Sequence, residues 1–450
     1  MLVRHSVSRR FDANQNVDSA VLAKPLHLQP SSCVVRNRLM KASLTEYLAT
    51  FDANDIKKLG LPTERLLNLY TKFGRGGFGL LLTGNVVVHP RHLEAPGNLV
   101  ICVEGETTEQ RFLFQQMAKN AAADGTLVVM QINHAGPRTP VALNPNPLVA
   151  SKTALTGDLR EQAVEATIEQ IRSEIVERFA YAAQFAYECG FHGVQIHGGY
   201  GWILSSFIGK STNKRTDHYG GSVENRLRVL REVREEIRAR IPKSANFIVG
   251  LKLNSPTFET EFDVAELTET AVRLDSMGFD FIELTGGNGE KLASFEARAS
   301  TVSREAFFDQ FLEIVRPQFK QSAVILTGGY RTVHGMTTAI VSGKCDAIGL
   351  GRPIAAEPDL PRKILEHNIK SAAYSDSEIQ NNFQMSKFKA NSQLGQASRS
   401  SESSDICDGI SDFSDSKESE RYERELAAFF QAGGFTPATF SSYFDYLPPC

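Results

Sequence analysis

Between about residues 34 and 366, short apolar runs alternate with longer stretches whose apolar and charged positions follow a helical spacing. Short runs of β-branched or apolar residues bounded by turn residues are typical of buried strands. We predict strands at 35–42, 79–87, 127–133, 192–197, 246–254, 280–285, 323–327 and 345–350. The amphipathic stretches predict helices at 108–124, 165–190, 222–241, 263–278, 303–321, 332–343 and 358–367. This alternation favours a closed (β/α)8 TIM barrel, because an open doubly wound sheet would want a G-x-G-x-x-G turn after an early strand, and none is found there.

The segments outside these runs differ in composition. Residues 134–164 form a long, proline-rich connection and are predicted as a loop or lid. Residues 385–421 are rich in Ser, Asp, Gln and Lys, and we predict a disordered linker because this composition buries too little apolar surface to fold. Residues 422–450 open with helical spacing and predict a helical tail that docks on the barrel or on a partner subunit. The chain is therefore divided into a flexible segment (1–21), the barrel (22–384), the linker and the tail.

Composition narrows the class of function. A net charge of −3 gives no support for nucleic-acid binding, and no apolar run approaches the roughly 18 residues that a membrane helix needs. The cysteines are scattered without metal or Fe–S spacing, which is typical of reduced thiols in a cytoplasmic protein. The first eleven residues are basic and resemble a mitochondrial transit peptide, but Asp12 and Asp18 follow soon. We expect a cytoplasmic protein with a small-molecule substrate, with mitochondrial import as the alternative and the oligomeric state left open.

The last two predicted strands both end in glycines followed by an arginine, as TGGYR (327–331) and GLGR (349–352). Glycines such as Gly329 and Gly351 let backbone N–H groups approach a phosphate, and Arg352 can bind it as a fork. In TIM barrels the phosphate site often follows strands seven and eight. The alternative interpretation is that these are ordinary turn glycines.

Polar side chains also stand at other predicted strand ends. Gln131 can donate and accept at once, which suits the edge of a planar heterocycle, and Lys252 can stabilise negative charge on a reduced ring. Each has an alternative: Gln131 could be merely solvated, Lys252 could form a Schiff base as in barrel aldolases, and His197 could be structural or bind a metal. No Asp, Glu or second His accompanies His197 at metal spacing, so we predict no metal site.

Motifs along the barrel resemble one known family. They are NRLMKASLTE (37–46), FGLLLTGNVVV (78–88), QINHAG (131–136), GVQIHGGYG (193–201), NKRTDHYGGSVENRLR (213–228), VGLKLNS (249–255), FIELTGG (281–287), ILTGGYR (325–331) and AIGLGRPIAAEPDL (347–360). Together they look like the old yellow enzyme (NADH:flavin oxidoreductase) family, over roughly residues 22 to 366. The chain lacks the closely spaced cysteines of the Fe–S-bearing relatives and so resembles the members without that cluster.

The resemblance implies a flavin enzyme with non-covalent FMN and with NADH or NADPH as hydride donor. Ser43, Thr45 and Asn85 would border the flavin, and Gln131 would bond its pyrimidine edge. Lys252 would lie near N1 and O2, where relatives often have Arg. The resemblance also implies that Gly329, Gly351 and Arg352 hold the phosphate. It implies that His197 donates a hydrogen bond to the substrate oxygen.

The loop after the fourth strand departs from the family pattern. That pattern is His-x-x-His/Asn-Gly-Tyr, whereas this chain has Tyr200 in place of the second His or Asn and Trp202 in place of the usual proton-donating Tyr. An indole N–H donates hydrogen bonds but is not a useful acid, and its larger ring narrows the substrate pocket. We predict hydride transfer to an activated alkene, a quinone or a similar acceptor. His197 and Tyr200 are predicted to activate the acceptor as hydrogen-bond donors, with the proton coming from Tyr200 or solvent. The alternative is a flavin-binding scaffold or pseudoenzyme that has lost alkene reduction.

Two rival enzyme classes remain. An aldolase using Lys252 predicts no bound flavin, while another FMN barrel, such as a dihydroorotate or hydroxy-acid dehydrogenase, would need a different base at the mouth. The NKRTDHYGGS segment (213–222) argues against that second rival.

Overall fold

The fold was examined in a computed structural model of the chain. It describes residues 8–13, 15–152, 162–254, 263–286, 311–375, 377, 382–434 and 444–447. Among the helices of these ranges, none is both long enough and apolar enough to cross a lipid bilayer.

Eight parallel strands form a closed barrel. They are β1 (Leu39–Lys41), β2 (Leu80–Val87), β3 (Leu127–Asn133), β4 (Gly193–His197), β5 (Ile248–Asn254), β6 (Phe281–Thr285), β7 (Ala323–Thr327) and β8 (Ala347–Leu350). Each pairs with its sequence neighbours, and β1 closes the ring by pairing with both β8 and β2. The predicted barrel is confirmed, because every predicted apolar run contains one of these strands.

Helices lie between the strands on the outside of the barrel. They are α1 (Glu64–Gly74), α2 (Thr108–Ala121), α3 (Glu177–Glu188), α4 (Arg228–Arg240), α5 (Val264–Ser276), α6 (Val333–Val341) and α7 (Leu360–His367). Their starts follow local sequence: the Thr63 hydroxyl accepts a bond from the Leu66 N–H and caps α1, and Thr107 caps α2 in the same way. The helix predicted at 303–321 lies partly outside the described residues, and 311–315 of it are helical. The predicted helices are close to those observed, but α1 was not predicted.

A π-helical turn, Ile171–Val176, interrupts the start of the helical stretch that leads into α3. The connection before it was predicted as a loop or lid, and residues 153–161 of it lie outside the described ranges. Its described part contains a short strand pair, Leu148–Val149 with Val164–Glu165.

The prediction of a disordered linker over 385–421 is wrong. Two further helices occupy this region, α8 (Phe383–Ala397) and α9 (Ser416–Gln431), and Leu394 is 1% exposed. The polar side chains that suggested disorder are bonded to one another instead: the Gln396 amide, itself buried, donates to the Ser411 hydroxyl at 2.8 Å. The amino-acid composition did not indicate these helices, because polar side chains are expected to be solvated unless their hydrogen-bond partners within the protein are known. The helix predicted for the tail is present but begins earlier, at Ser416.

The first residues also dock on the barrel. Arg10 Nη2 lies 2.6 Å from Glu357 Oε1, just after β8, and the Phe11 N–H donates to the Ala372 carbonyl. The prediction of a flexible segment over 1–21 is therefore wrong at these positions. Residues 1–7 and 14 lie outside the described ranges.

Candidate active site

Side chains from neighbouring strand ends meet at the C-terminal mouth of the barrel. Asn85 on β2 is in register with Gln131 on β3, which is in register with Gln195 on β4. The Ser43 hydroxyl donates to Gln131 Oε1 at 2.8 Å, and Gln131 Nε2 donates to Gln195 Oε1 at 2.7 Å. Gln131 is buried, so these two bonds fix the orientation of its amide.

A buried carboxylate continues this row. Gln195 Nε2 donates to Glu283 Oε2 at 2.8 Å, and Glu283 Oε1 lies 3.6 Å from Lys252 Nζ. Sequence reasoning found Lys252 but missed Gln195 and Glu283. The available signal was one polar residue inside each of two apolar strands, GVQIH (193–197) and FIELT (281–285).

Thr45 and Asn85 form a second pair on the β1–β2 side. Thr45 Oγ1 donates to Asn85 Oδ1 at 2.7 Å, and Asn85 Nδ2 donates to Glu94 Oε2 at 3.2 Å. Glu94 also accepts a bond from the Tyr47 hydroxyl at 3.2 Å. Thr45 and Asn85 are thus in direct contact, and Glu94 is a further member of the group that the sequence did not indicate.

His197 is held as a neutral hydrogen-bond donor. Burial, with a smaller contribution from the Lys252 charge, lowers the pKa of His197 well below its ordinary value. Its Nδ1 accepts the Gly199 N–H at 3.3 Å, so the single proton of the neutral ring is on Nε2. This tautomer has the donor that the resemblance assigns to His197.

The strand-four loop places both departures from the family pattern beside His197. The Trp202 ring stacks on the His197 ring at 4.8 Å and 23°. Tyr200 adopts a left-handed backbone with φ +59°, held by a bond from its N–H to Asn254 Oδ1 at 2.9 Å. Its ring centroid is 5.9 Å from that of His197 and 5.7 Å from Lys252 Nζ. A phenol therefore stands at the mouth although it comes from a different position in the loop.

The ends of β7 and β8 form an open, glycine-lined corner. Gly329 has φ +73°, a conformation that side-chain-bearing residues rarely adopt. Among the described residues, a Cβ at Gly351 would meet only Leu44 Cδ2, at 3.8 Å, so these residues leave the backbone there uncovered. The buried Thr327 hydroxyl nearby has no hydrogen-bond partner within the described part of the chain. This corner fits a phosphate group.

Arg352 borders this corner and is tied to the C-terminal helices. Its Nη1 donates to the hydroxyl of Ser386, a buried residue of α8. Sequence reasoning missed Ser386 because it assigned that stretch to the disordered linker.

Three buried histidines meet just outside the mouth, after β2 and β3. One ring nitrogen from each of His89, His92 and His134 lies within 4.8 Å of the others. Burial lowers the pKa of His89 to about 2 and that of His92 to about 3, and it holds His134 well below its ordinary value. All three rings are therefore neutral near pH 7.

The hydrogen bonds of these rings argue against a metal ion there. His89 Nδ1 and His134 Nδ1 each accept a backbone N–H at 3.1 Å, and His92 Nε2 accepts one at 3.0 Å. The proton of each neutral ring is therefore on the other nitrogen, whereas a ligating histidine offers a lone pair to the metal and donates from its second nitrogen. These remaining nitrogens are buried without hydrogen-bond geometry to a partner, although His89 Nε2 lies 3.0 Å from Glu174 Oε2. Three N–H donors that face one another suit a hydrogen-bond acceptor such as a buried water. That the protein has no metal site stays a prediction.

Comparison with known proteins agrees with this geometry. The sequence model of the NADH:flavin oxidoreductase / NADH oxidase family matches residues 22–371. The chain is 34% identical over 368 residues to the NADH-dependent flavin oxidoreductase nadA of Aspergillus parasiticus, covering 80% of this chain and 82% of that protein. It is 31% identical to the NADH-dependent flavin oxidoreductase iliE of Hypocrea jecorina, covering 75% and 87%.

Solved structures share the fold. The old yellow enzyme homologue from Zymomonas mobilis superposes with a TM-score of 0.63 at 24% identity, over 79% of this chain and 95% of that one. Morphinone reductase gives a TM-score of 0.63 at 23% identity, over 80% and 92%.

A closed parallel barrel with a polar mouth and a glycine-lined corner after β7 and β8 fits a flavin-dependent oxidoreductase, and the family model identifies that class. The chain belongs to the NADH:flavin oxidoreductase / NADH oxidase family, the old yellow enzyme family that its motifs resemble. It is an FMN-binding enzyme that uses a reduced nicotinamide as hydride donor.

Proposed function

We propose that FMN lies across the barrel mouth and that NADH is the preferred donor over NADPH. Ser43, Thr45 and Asn85 would border the flavin, Gln131 would bond its pyrimidine edge, and Lys252 would lie near N1 and O2. Gly329, Gly351 and Arg352 would hold the phosphate. The names of the relatives nadA and iliE, both NADH-dependent flavin oxidoreductases, support NADH.

The acceptor is proposed to be an activated alkene, a quinone or a similar oxygen-bearing compound. FMN, when bound, would supply the hydride-transfer chemistry between NADH and the acceptor. His197 donates its Nε2 proton as a hydrogen bond to the acceptor oxygen and polarises it without transferring charge of its own. The observation that carries this role is the neutral His197 ring, held between the Gly199 N–H and the face of Trp202.

Alkene reduction also needs a proton on carbon, and Tyr200 is proposed to supply it or to pair with His197 while solvent does. Support comes from the position of its phenol ring, 5.9 Å from His197 and 5.7 Å from the Lys252 ammonium.

The test separates the two half-reactions. Purified, yellow protein is mixed anaerobically with NADH or NADPH, and flavin bleaching is followed by stopped flow; enones, quinones and nitro compounds are then added as acceptors. Tyr200→Phe is expected to lose enone reduction and to keep flavin reduction, while Tyr187→Phe, which removes an exposed phenol on α3, should change neither. Full enone turnover in Tyr200→Phe would contradict the proton-donor role.

A second candidate is favoured by Trp202, which occupies the place of the family's usual proton donor. The protein would then reduce quinones or oxygen, which needs no protonation of carbon, or act as a scaffold that holds flavin. Rapid flavin bleaching with turnover of quinones alone identifies the reductase, and flavin that neither nicotinamide can bleach identifies the scaffold.

A further inference from the structure

Glu283 is a fully buried carboxylate inside the barrel, and it serves two different predicted cofactor contacts. Its Oε2 accepts a hydrogen bond from Gln195 at 2.8 Å, while its Oε1 faces Lys252 at 3.6 Å and makes no hydrogen bond to any described residue. Removing a carboxylate from water carries a large desolvation cost. A carboxylate at this position of an otherwise apolar strand destabilises the fold, so its presence indicates that its charge has a function at the site.

An ionised carboxylate can only accept hydrogen bonds, and this sets the direction of the whole row. Gln195 must turn its NH2 group toward Glu283 and therefore its carbonyl toward Gln131. Gln131 must then give an N–H to Gln195 and its carbonyl to the Ser43 hydroxyl. The observed distances, 2.8, 2.7 and 2.8 Å, follow this single direction from one end to the other.

We propose that Glu283 is a positioning residue that orients Gln131 through Gln195 and partly compensates the Lys252 charge beside the cofactor. The inference rests on the proposed placement of FMN at the mouth. It leaves Gln131 with one N–H and one carbonyl lone pair for the pyrimidine edge, in a defined orientation. It also makes Glu283 the carboxylate that faces the Lys252 ammonium at that edge.

The charge balance predicts the effect on cofactor reduction. A negative charge near the ring opposes the negative charge that accumulates on reduction, so removing it favours the reduced form. Glu283→Gln should bind reduced FMN about tenfold more tightly relative to oxidised FMN than the unchanged protein does. That ratio corresponds to a shift of about +30 mV for a two-electron couple.

The orientation is tested separately with Gln195→Leu, which breaks the row but keeps both charges. This variant should weaken binding of oxidised FMN several-fold and shift the potential much less than Glu283→Gln. Glu235→Gln is the control: it removes an exposed carboxylate on the outer helix α4 and should change neither the potential nor the FMN affinity. Reduction potential, FMN dissociation constant and flavin absorption spectrum are measured on each protein, with circular dichroism to confirm folding.

Unchanged potential in a yellow, folded Glu283→Gln protein would overturn the charge role. Unchanged FMN affinity in Gln195→Leu would overturn the orienting role, and this second variant still decides if Glu283→Gln does not fold. Failure of the unchanged protein to bind FMN at all would instead refute the proposed function, so the two failures are distinguishable.

Discussion

Lowering the pH from 7 to 5 should destabilise the protein through its buried histidines, and His92 is the sharpest test. The pKa of His92 in the folded protein is lowered to about 3, chiefly by burial, whereas an unfolded chain has a histidine pKa of about 6.5. Between these values the unfolded state binds more protons than the folded state. Stability is therefore fully present above about pH 6.5 and is lost as the pH falls toward 3.

The magnitude follows from the two pKa values. At pH 7 about a quarter of unfolded His92 is protonated, and at pH 5 nearly all of it is, while the folded ring stays neutral at both. The linkage integral over this interval is about 2 kcal/mol for one ring. It depends little on the folded value, because pH 5 lies well above that value.

The assay compares urea unfolding at pH 7 and pH 5 in the unchanged protein, in His92→Gln and in His27→Gln. A glutamine oxygen at position 92 can still accept the Leu148 N–H but cannot titrate. His92→Gln should lose about 2 kcal/mol less between the two pH values than the unchanged protein does. His27 is exposed, so its variant should keep the full pH dependence. If His92→Gln and the unchanged protein lost the same free energy of unfolding between pH 7 and pH 5, folded His92 would have to take up a proton by pH 5. The conclusion that burial keeps this ring neutral would then be wrong.

Three further outcomes are expected. In the Tyr200→Phe background, Trp202→Tyr should raise enone turnover by roughly tenfold or more without changing quinone turnover, because the new phenol replaces the one that was removed; no rise in steady-state rate would show that a phenol at position 202 cannot protonate the acceptor. Ser386→Ala should raise the FMN dissociation constant by roughly fivefold, about 1 kcal/mol, because Arg352 loses a partner; an unchanged constant in fluorescence titration would show that Arg352 needs no support. Leu394→Ala should cost about 2–5 kcal/mol of unfolding free energy because the side chain is 1% exposed, and a change below about 0.5 kcal/mol would show that α8 is not part of the core.

The barrel was predictable because its signal is local. Each buried strand is a short apolar run, and strand ends carry the polar residues, so Gln131, His197 and Lys252 could be selected by position alone. The most specific motif is NKRTDHYGGSVENR (213–226). It identified the family although it contains none of the proposed site residues and has a structural role. Its Arg215 bonds the carbonyls of Ala150 and Ala166 and so ties two loops together.

Long-range contacts could not be predicted in this way. Glu283 bonds Gln195, which lies 88 residues earlier in the sequence. The two residues meet only because β4 and β6 both pair with β5 in the folded barrel. The same holds for α8, whose polar sequence is typical of a linker until Ser411 and Arg65 provide hydrogen-bond partners.

The docking of Arg10 on Glu357 has a consequence for the maturation of the protein. Arg352 and Glu357 flank one short helix after β8, and they bond the C-terminal helix α8 and the N-terminal segment respectively. Arg10 and α8 thus hold the two ends of this short helix, beside the proposed phosphate corner. Any peptidase that trimmed the chain beyond Arg10 would leave the buried Glu357 carboxylate with one partner fewer. We therefore expect the mature protein to retain Arg10, and mass spectrometry of the N-terminus of protein from its native source would show whether it does.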